Sequence, residues 1–400
     1  VIAGVQPEAS VQSVPYWRLS SFYFYYFGLL GALLPFLGLY LQEQGFSLSE
    51  IGQLSATIVG TKLLAPNIWG WLADYTGRRI QIIRLGSVLS LMIFAGIFLH
   101  PGFWGMALVL CGFSFFWNAV MPQFEVVTLR HLDRQTDQYS RIRLWGSVGF
   151  VAAVVGLGWY FEHESIARLP IILFILLALI AVSSFAISSP VTAAASKGSL
   201  AVFIAQLKSP QVILFFSICL LLQISHGPYY TFFSIFLQDH GYSKTAIGWL
   251  WALGVVAEIG VFLVAHRLFS WFDVRTLAVS CLLIGALRWW LTGAYPQSLA
   301  LILLAQLGHA ATFGVFHAIA IHLIHRYFNA QASGQGQAMY SSFSFGLGGA
   351  LGAYFSGMIV ENWGGSMAYF MAAGIALVAG LLALGLTSPR QGGGKSETLT

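Results

Sequence analysis

Residues 70–79 read GWLADYTGRR, ten positions set between two long apolar runs. Gly70 lets two helices approach closely, and Gly77 permits a tight turn where a side chain would clash. Asp74 can accept charge-assisted hydrogen bonds from a basic neighbour or from amides at a helix N-terminus. Arg78 and Arg79 would anchor the turn on the cytoplasmic side of a bilayer. Taken alone, the string also fits an ordinary basic loop between two spans. Either way it frames the chain as membrane helices joined by short turns.

Composition agrees. The 400 residues are 58% hydrophobic and 8% charged, with mean hydropathy +0.77. Soluble domains carry about 25% charged residues, so this is a membrane protein. The net charge of +5 is small and unclustered, which argues against nucleic acid as a partner. Cys111, Cys219 and Cys281 lie inside apolar runs without paired spacing, so they read as packing residues, not as a disulfide framework or a metal site. There is no nucleophile–base arrangement, metal cluster or phosphate-binding loop, so neither an enzyme nor an ATP-driven pump is expected, and no cofactor. Residues 1–15 lack a basic region ahead of an apolar core, so no cleavable signal peptide is read there.

A spanning helix needs about 20 apolar residues. That ruler predicts twelve, near 16–41, 49–71, 80–99, 103–128, 141–161 and 169–188, then 210–238, 244–266, 275–294, 298–323, 334–360 and 364–387. Arg18, Arg78, Arg79, Arg84, Arg130, Arg141 and Arg143 fall at one set of ends, whereas the other set has only Arg168 and Lys244. The positive-inside rule then places both termini in the cytoplasm. The expected organisation is a cytoplasmic segment 1–15, a six-helix half 16–188, a linker 189–208, a second half 209–388 and a disordered tail 389–400.

An internal repeat supports two halves. LQEQGFSLSEIGQL at 41–54 returns as LQDHGYSKTAIGWL at 237–250, an offset of 196 with seven identities in fourteen positions. Applied to the loop at 70–79, the offset retains only a Leu and an Arg, so the second copy of that loop is degenerate. The fold class is an all-α membrane protein of twelve transmembrane helices in two pseudo-symmetric six-helix halves, with a site expected near the midplane between them.

Charged side chains inside a span are costly unless paired or hydrated, so each marks a candidate site. They are Lys62, Glu125, Glu258 and Arg288, with Arg143 just inside the fifth span and His226, His309, His317 and His322 beside them. Each has a structural alternative: an interhelical ion pair for Glu258 with Arg288, a gating or packing pair for Glu125 with Arg143, snorkelling for Lys62, and a kink at Gly227–Pro228 for His226.

The loop at 70–79 resembles the signature between the second and third helices of the major facilitator superfamily. WNAVMPQFE at 117–125 and YSRIRLWGSVGF at 139–150 are similar to the lactose-permease branch of it, through Asn118, Pro122, Glu125, Arg141, Arg143, Gly146 and Gly149. There the Glu and the second Arg bind substrate, which implies that role for Glu125 and Arg143, with Asn118 beside them. Arg288 and His309 match that branch's ninth-helix arginine and tenth-helix histidine, and Gln306 and Thr312 depart from its Lys and Glu. RLWGSVGF, LLQISHGPYY, GYSKTAIGWLWALGVVAE, RWW and LGHAATFGVFHA resemble the 3-phenylpropionate transporter family over essentially the whole chain. That resemblance implies proton-coupled import of an aromatic carboxylate across a bacterial inner membrane.

The residues permit a physical account of such a substrate. Arg288, with His309 or Lys62, can hold a carboxylate, and Tyr229, Tyr230, Trp251, Trp289 and Phe313 can enclose a ring. Glu258 or His309 can carry a proton. The expected partners are a small molecule, a proton and the bilayer, with the protein a monomer. A sugar or glycoside is the alternative substrate, and a transporter-like sensor the alternative class.

Overall fold

The computed structural model describes residues 14–132, 135, 138–188 and 200–387. Expectations for 1–13, for 189–199 of the linker and for the tail beyond 387 lie outside the described residues. Within them the chain is helical, without a strand.

The first half comprises α1 (Tyr16–Glu43), α2 (Leu48–Gly60), α3 (Ala65–Thr76), α4 (Arg79–Phe94), α5 (Phe103–Leu132), α6 (Gln138–His163) and α7 (Leu169–Phe185). A short α8 (Leu200–Leu207) occupies part of the stretch expected to break the helical pattern. The second half runs through α9 (Pro210–Ser225), α10 (Gly227–Asp239), α11 (Lys244–Trp271), α12 (Val274–Ala294), α13 (Leu299–Leu307), α14 (Phe316–Tyr327), α15 (Ser333–Met339), α16 (Gly349–Trp363) and α17 (Gly365–Ala383). π-helical turns at Ala310–Val315 and Tyr340–Gly348 join α13 to α14 and α15 to α16. Side chains such as Leu99, Trp104 and Leu108 are 82%, 79% and 74% exposed, an arrangement that calls for lipid as the surrounding solvent.

Eleven helices among the described residues are long and apolar enough to cross a membrane. The twelfth expected span, 49–71, is broken into α2 and α3 by a 3₁₀ turn at Thr61–Leu63. Pro66 explains the break, because it has no N–H to give the carbonyl four residues back. Side chains answer the loosened backbone. Asn118 Nδ2 donates to the Ile58 carbonyl at 3.0 Å and to Thr61 Oγ1 at 2.8 Å, and Asn67 Nδ2 donates to the Leu63 carbonyl at 3.1 Å.

Within the first half α1 packs on α6 and α7, and α4 on α5 and α7; in the second, α17 packs on α9 and α12. Across the halves α2 meets α16, α6 meets α11, and α1 meets α10. These contacts gather at the end of the bundle that carries residues 44–48 and 240–243. The repeat has one geometry in both copies. Gly45 and Gly241 both take φ of +86°, and Ser47 and Ser243 both cap the helix that follows. At the opposite end Gly77 ends α3 at φ +66°, and Arg79 pairs with Asp74 and donates to Gln123 on α5. Arg78 is exposed.

Candidate functional site

The break between α9 and α10 puts His226, Tyr229 and Tyr230 opposite the middle of α12, where Arg288 sits 2% exposed. Its NH1 donates to Thr312 Oγ1 at 2.8 Å and meets His309 Nδ1 at 3.1 Å, and its NH2 donates to Gln306 Oε1 at 3.4 Å. A guanidinium can only donate, so Nδ1 of His309 accepts and the ring is neutral. Arg288 also lies over the Trp289 ring at 4.1 Å and the Tyr229 ring at 5.0 Å. Trp251 packs 4.7 Å from Tyr229, and Phe313 stacks 5.4 Å from His309. Tyr230 lies 5.2 Å from Tyr229.

Every hydrogen-bonding neighbour of Arg288 is neutral. Among the described residues no carboxylate comes within 4 Å of it; the ion pairs there are Asp74–Arg79 and Glu164–Arg168. Gln306 and Thr312, the departures from the lactose-permease pattern, are two of its ligands. Gln306 is held in turn by the Leu250 carbonyl and by the Tyr229 hydroxyl, at 3.0 and 3.4 Å. Two buried polar atoms in this cluster have no partner, Nε of Arg288 and Nε2 of His226. His226 gives its Nδ1 hydrogen to the Leu222 carbonyl at 2.7 Å, and its ring stands edge-on to Trp289 at 5.1 Å. Sequence reading left His226 between a candidate site residue and a kink at Gly227–Pro228. The cluster it joins comes from four separated stretches, 226–230, Trp251, 288–289 and 306–313, a proximity that no local spacing encodes.

A second group faces it from the first half. Arg143 on α6 lies over Phe27 at 3.9 Å and Tyr23 at 5.5 Å. Glu125 on α5 is within electrostatic reach of Arg143, beside Tyr139. Glu258 was expected beside Arg288 or His309. Instead its side chain packs near Gly314, and the charged group acting on it is Arg143, from the other half. Lys62 stands on the 3₁₀ turn of the broken span, and no hydrogen bond or ion pair reaches it among the described residues. The site therefore has two parts, a buried cation in an aromatic box and a half-buried set of Glu125, Arg143 and Glu258 drawn from both halves, with Lys62 half-buried apart from them on the 3₁₀ turn.

Asn118 does not belong to either part as a free ligand. It is 5% exposed, and its amide N–H groups brace the break in the second span. Asn118→Ala is expected to destabilise the protein by about 1–3 kcal/mol while leaving substrate affinity of the folded fraction unchanged. Thermal denaturation in detergent, read beside ligand binding, checks this.

Residues 16–372 match the model of the MFS_1-like family. The chain is 29% identical over 366 residues to a protein named probable 3-phenylpropionic acid transporter from Escherichia coli strain K12, covering 88% of this chain and 92% of that one. It is 28% identical to the maltose permease of Geobacillus stearothermophilus, covering 92% and 94%. Among solved structures, a variant of the nucleoside transporter NupG superposes with a TM-score of 0.84 at 18% identity, covering 93% of this chain and 99% of that one. With the helical architecture already described, this places the chain in the MFS_1-like family, a secondary transporter of the major facilitator fold and not an enzyme.

Proposed function

We propose that the protein is a proton-coupled symporter that carries an aromatic carboxylate of the 3-phenylpropionate kind into the cell by alternating access. The observation that carries this reading is Arg288, a cation buried in an aromatic box whose hydrogen-bonding neighbours are all neutral. A buried unneutralised charge is costly, and an anion with one ring supplies what the box lacks: a carboxylate for the guanidinium and an apolar body for Tyr229, Trp251 and Trp289. The carboxylate would displace the neutral ligands Gln306 or Thr312.

Moving an anion inward against 100 mV costs about 2.3 kcal/mol, and a proton carried with it removes that cost. Glu258 takes that role in this reading. It stands between the halves opposite Arg143, so its charge bears on how the halves meet. The bacterial cytoplasmic membrane is the proposed location, with both termini inside, as the concentration of arginines at one set of helix ends supports. The halves are assigned to 16–188 and 209–388, and the protein is assigned as a monomer.

Uptake of labelled 3-phenylpropionate into proteoliposomes, with and without an inward proton gradient, tests the reading. Wild type is expected to accumulate substrate with the gradient. Glu258→Gln is expected to lose accumulation by at least about tenfold and still to exchange substrate across the membrane. No uptake by folded protein overturns the aromatic-acid assignment. The second reading is then a sugar, favoured by Glu125 with Arg143 and by the likeness to a maltose permease, and the next panel would be maltose and other glycosides.

A further inference from the structure

The repeat at 41–54 and 237–250 leaves the same backbone group free in both copies. The first turn of any helix has amides without intrahelical partners. In α2 the Ser47 hydroxyl takes the amide of Glu50 at 3.2 Å, and in α11 the Ser243 hydroxyl takes the amide of Ala246 at 3.1 Å. The amide one residue earlier is out of reach of its own cap in each case. Both are taken by a carboxylate from the opposite half. Ser49 N–H donates to Glu361 at 3.0 Å, from the end of α16, and Thr245 N–H donates to Glu162 at 3.2 Å, from the end of α6.

Three residues further on, each helix crosses its partner at a glycine. A Cβ on Gly52 would lie 2.7 Å from the Gly357 Cα, and one on Gly248 would lie 2.3 Å from the Val154 carbonyl oxygen and 3.3 Å from the Gly158 Cα. Each side thus has a turn glycine, a serine cap, a bare amide and a crossing glycine, met by a glycine and a glutamate from the other half. Glu162 and Glu361 are exposed, and the hydrogen bonds that their side chains accept here come from the opposite half.

We infer that Glu162 and Glu361 are paired latches that hold this end of the transporter closed, and that each transport cycle releases both when the halves part. The bonds have the properties a reversible closure needs. They join the halves and not the core of either, they lie at a water-accessible end where the freed amides and carboxylates can be rehydrated, and they favour a negative charge at a helix N-terminus. Their effect is modest by construction, because a tight seal would trap the carrier in one state. The inference rests on the fold and not on the identity of the substrate.

The test is a distance measurement on the full chain in lipid nanodiscs without substrate. Spin labels at Gln44→Cys and Asn362→Cys, both exposed positions at the latched end, report opening there in a Cys111→Ser background. Labels at Tyr75→Cys and Ser270→Cys report the opposite end. The double variant Glu162→Ala with Glu361→Ala is expected to raise the ratio of open to closed populations at the latched end by about three- to tenfold, with a reciprocal shortening at the other end. Gln at both positions keeps an acceptor without the charge and is expected to fall between wild type and Ala. Each single Ala variant should give about half of the logarithmic shift, so the inference stays testable if the double variant does not fold. Unchanged distances in folded single or double variants overturn it, as does lowered thermal stability with both populations where they were.

Discussion

Replacing Arg288 with Met should cut uptake of an anionic substrate by at least about a hundredfold, close to 2.7 kcal/mol, and leave the protein no less heat-stable than the wild type. The two halves of that expectation have one cause. Arg288 is buried among Tyr229, Trp289, His309, Gln306 and Thr312, with no acid within 4 Å among the described residues, so this arrangement bears the desolvation of a charge that none of them neutralises. Exchanging such a charge for an apolar side chain of similar length is often neutral or stabilising. The same exchange removes the only fork in the box suited to a carboxylate, whose charge-assisted bonds are about twice as strong as neutral ones. Arg288→Lys should fall between the two, since an ammonium keeps the charge but not the planar pair of donors. Uptake assays beside thermal denaturation in detergent decide the matter. A Met variant that still transports the anion would remove Arg288 from the site, and one that no longer folds would make it a structural cation.

The sequence carried the charge of this site more clearly than its partners. Arg288 and His309 stand out because ionisable residues are rare in apolar spans, and Tyr229 and Trp251 follow from the need for a ring slot. Gln306 and Thr312 were visible only as departures from a pattern; they reach Arg288 from the end of α13 and from the π-helical turn at Ala310–Val315, a local geometry that a hydropathy reading does not contain. Glu258 was read with Arg288 as one possible ion-pair partner, whereas the charged group acting on it is Arg143. Its charged neighbour is on α6, and a pairing across the halves depends on how far they have closed, which no span-by-span reading contains. The break in the second span had its signal in Pro66, yet a hydropathy window averages a proline away. Asn118 was read as a binding residue through the resemblance of WNAVMPQFE to the lactose-permease branch, whereas here it answers the Ile58 carbonyl and the Thr61 hydroxyl at the break. The loop at 70–79 was legible to the level of contacts, since Gly77 at φ +66° and the Asp74–Arg79 pair follow from local chemistry.

Two glycines at two different faces of α6 give the second large expectation. Gly149 and Gly248 look alike in local terms: a Cβ on Gly149 would lie 2.1 Å from the Phe24 carbonyl oxygen, and one on Gly248 would lie 2.3 Å from the Val154 carbonyl oxygen. Neither neighbour is a side chain that can rotate away. Gly149, however, is on α6 facing α1, inside the first half, where the contact must persist in every state of the carrier. An added methyl there has to be met by separating two packed helices, and Gly149→Ala should destabilise the fold by about 3 kcal/mol or more. Gly248 is on α11 facing α6 across the halves. The protein already possesses a way to separate those helices, because alternating access parts them. Gly248→Ala should therefore melt close to the wild type and instead populate the arrangement in which the end carrying residues 44–48 is open. Thermal denaturation distinguishes the two variants, and the distance between labels at Gln44→Cys and Asn362→Cys reads the second directly. If both variants lose stability equally, the α6–α11 crossing is part of a fixed core and the halves do not part there.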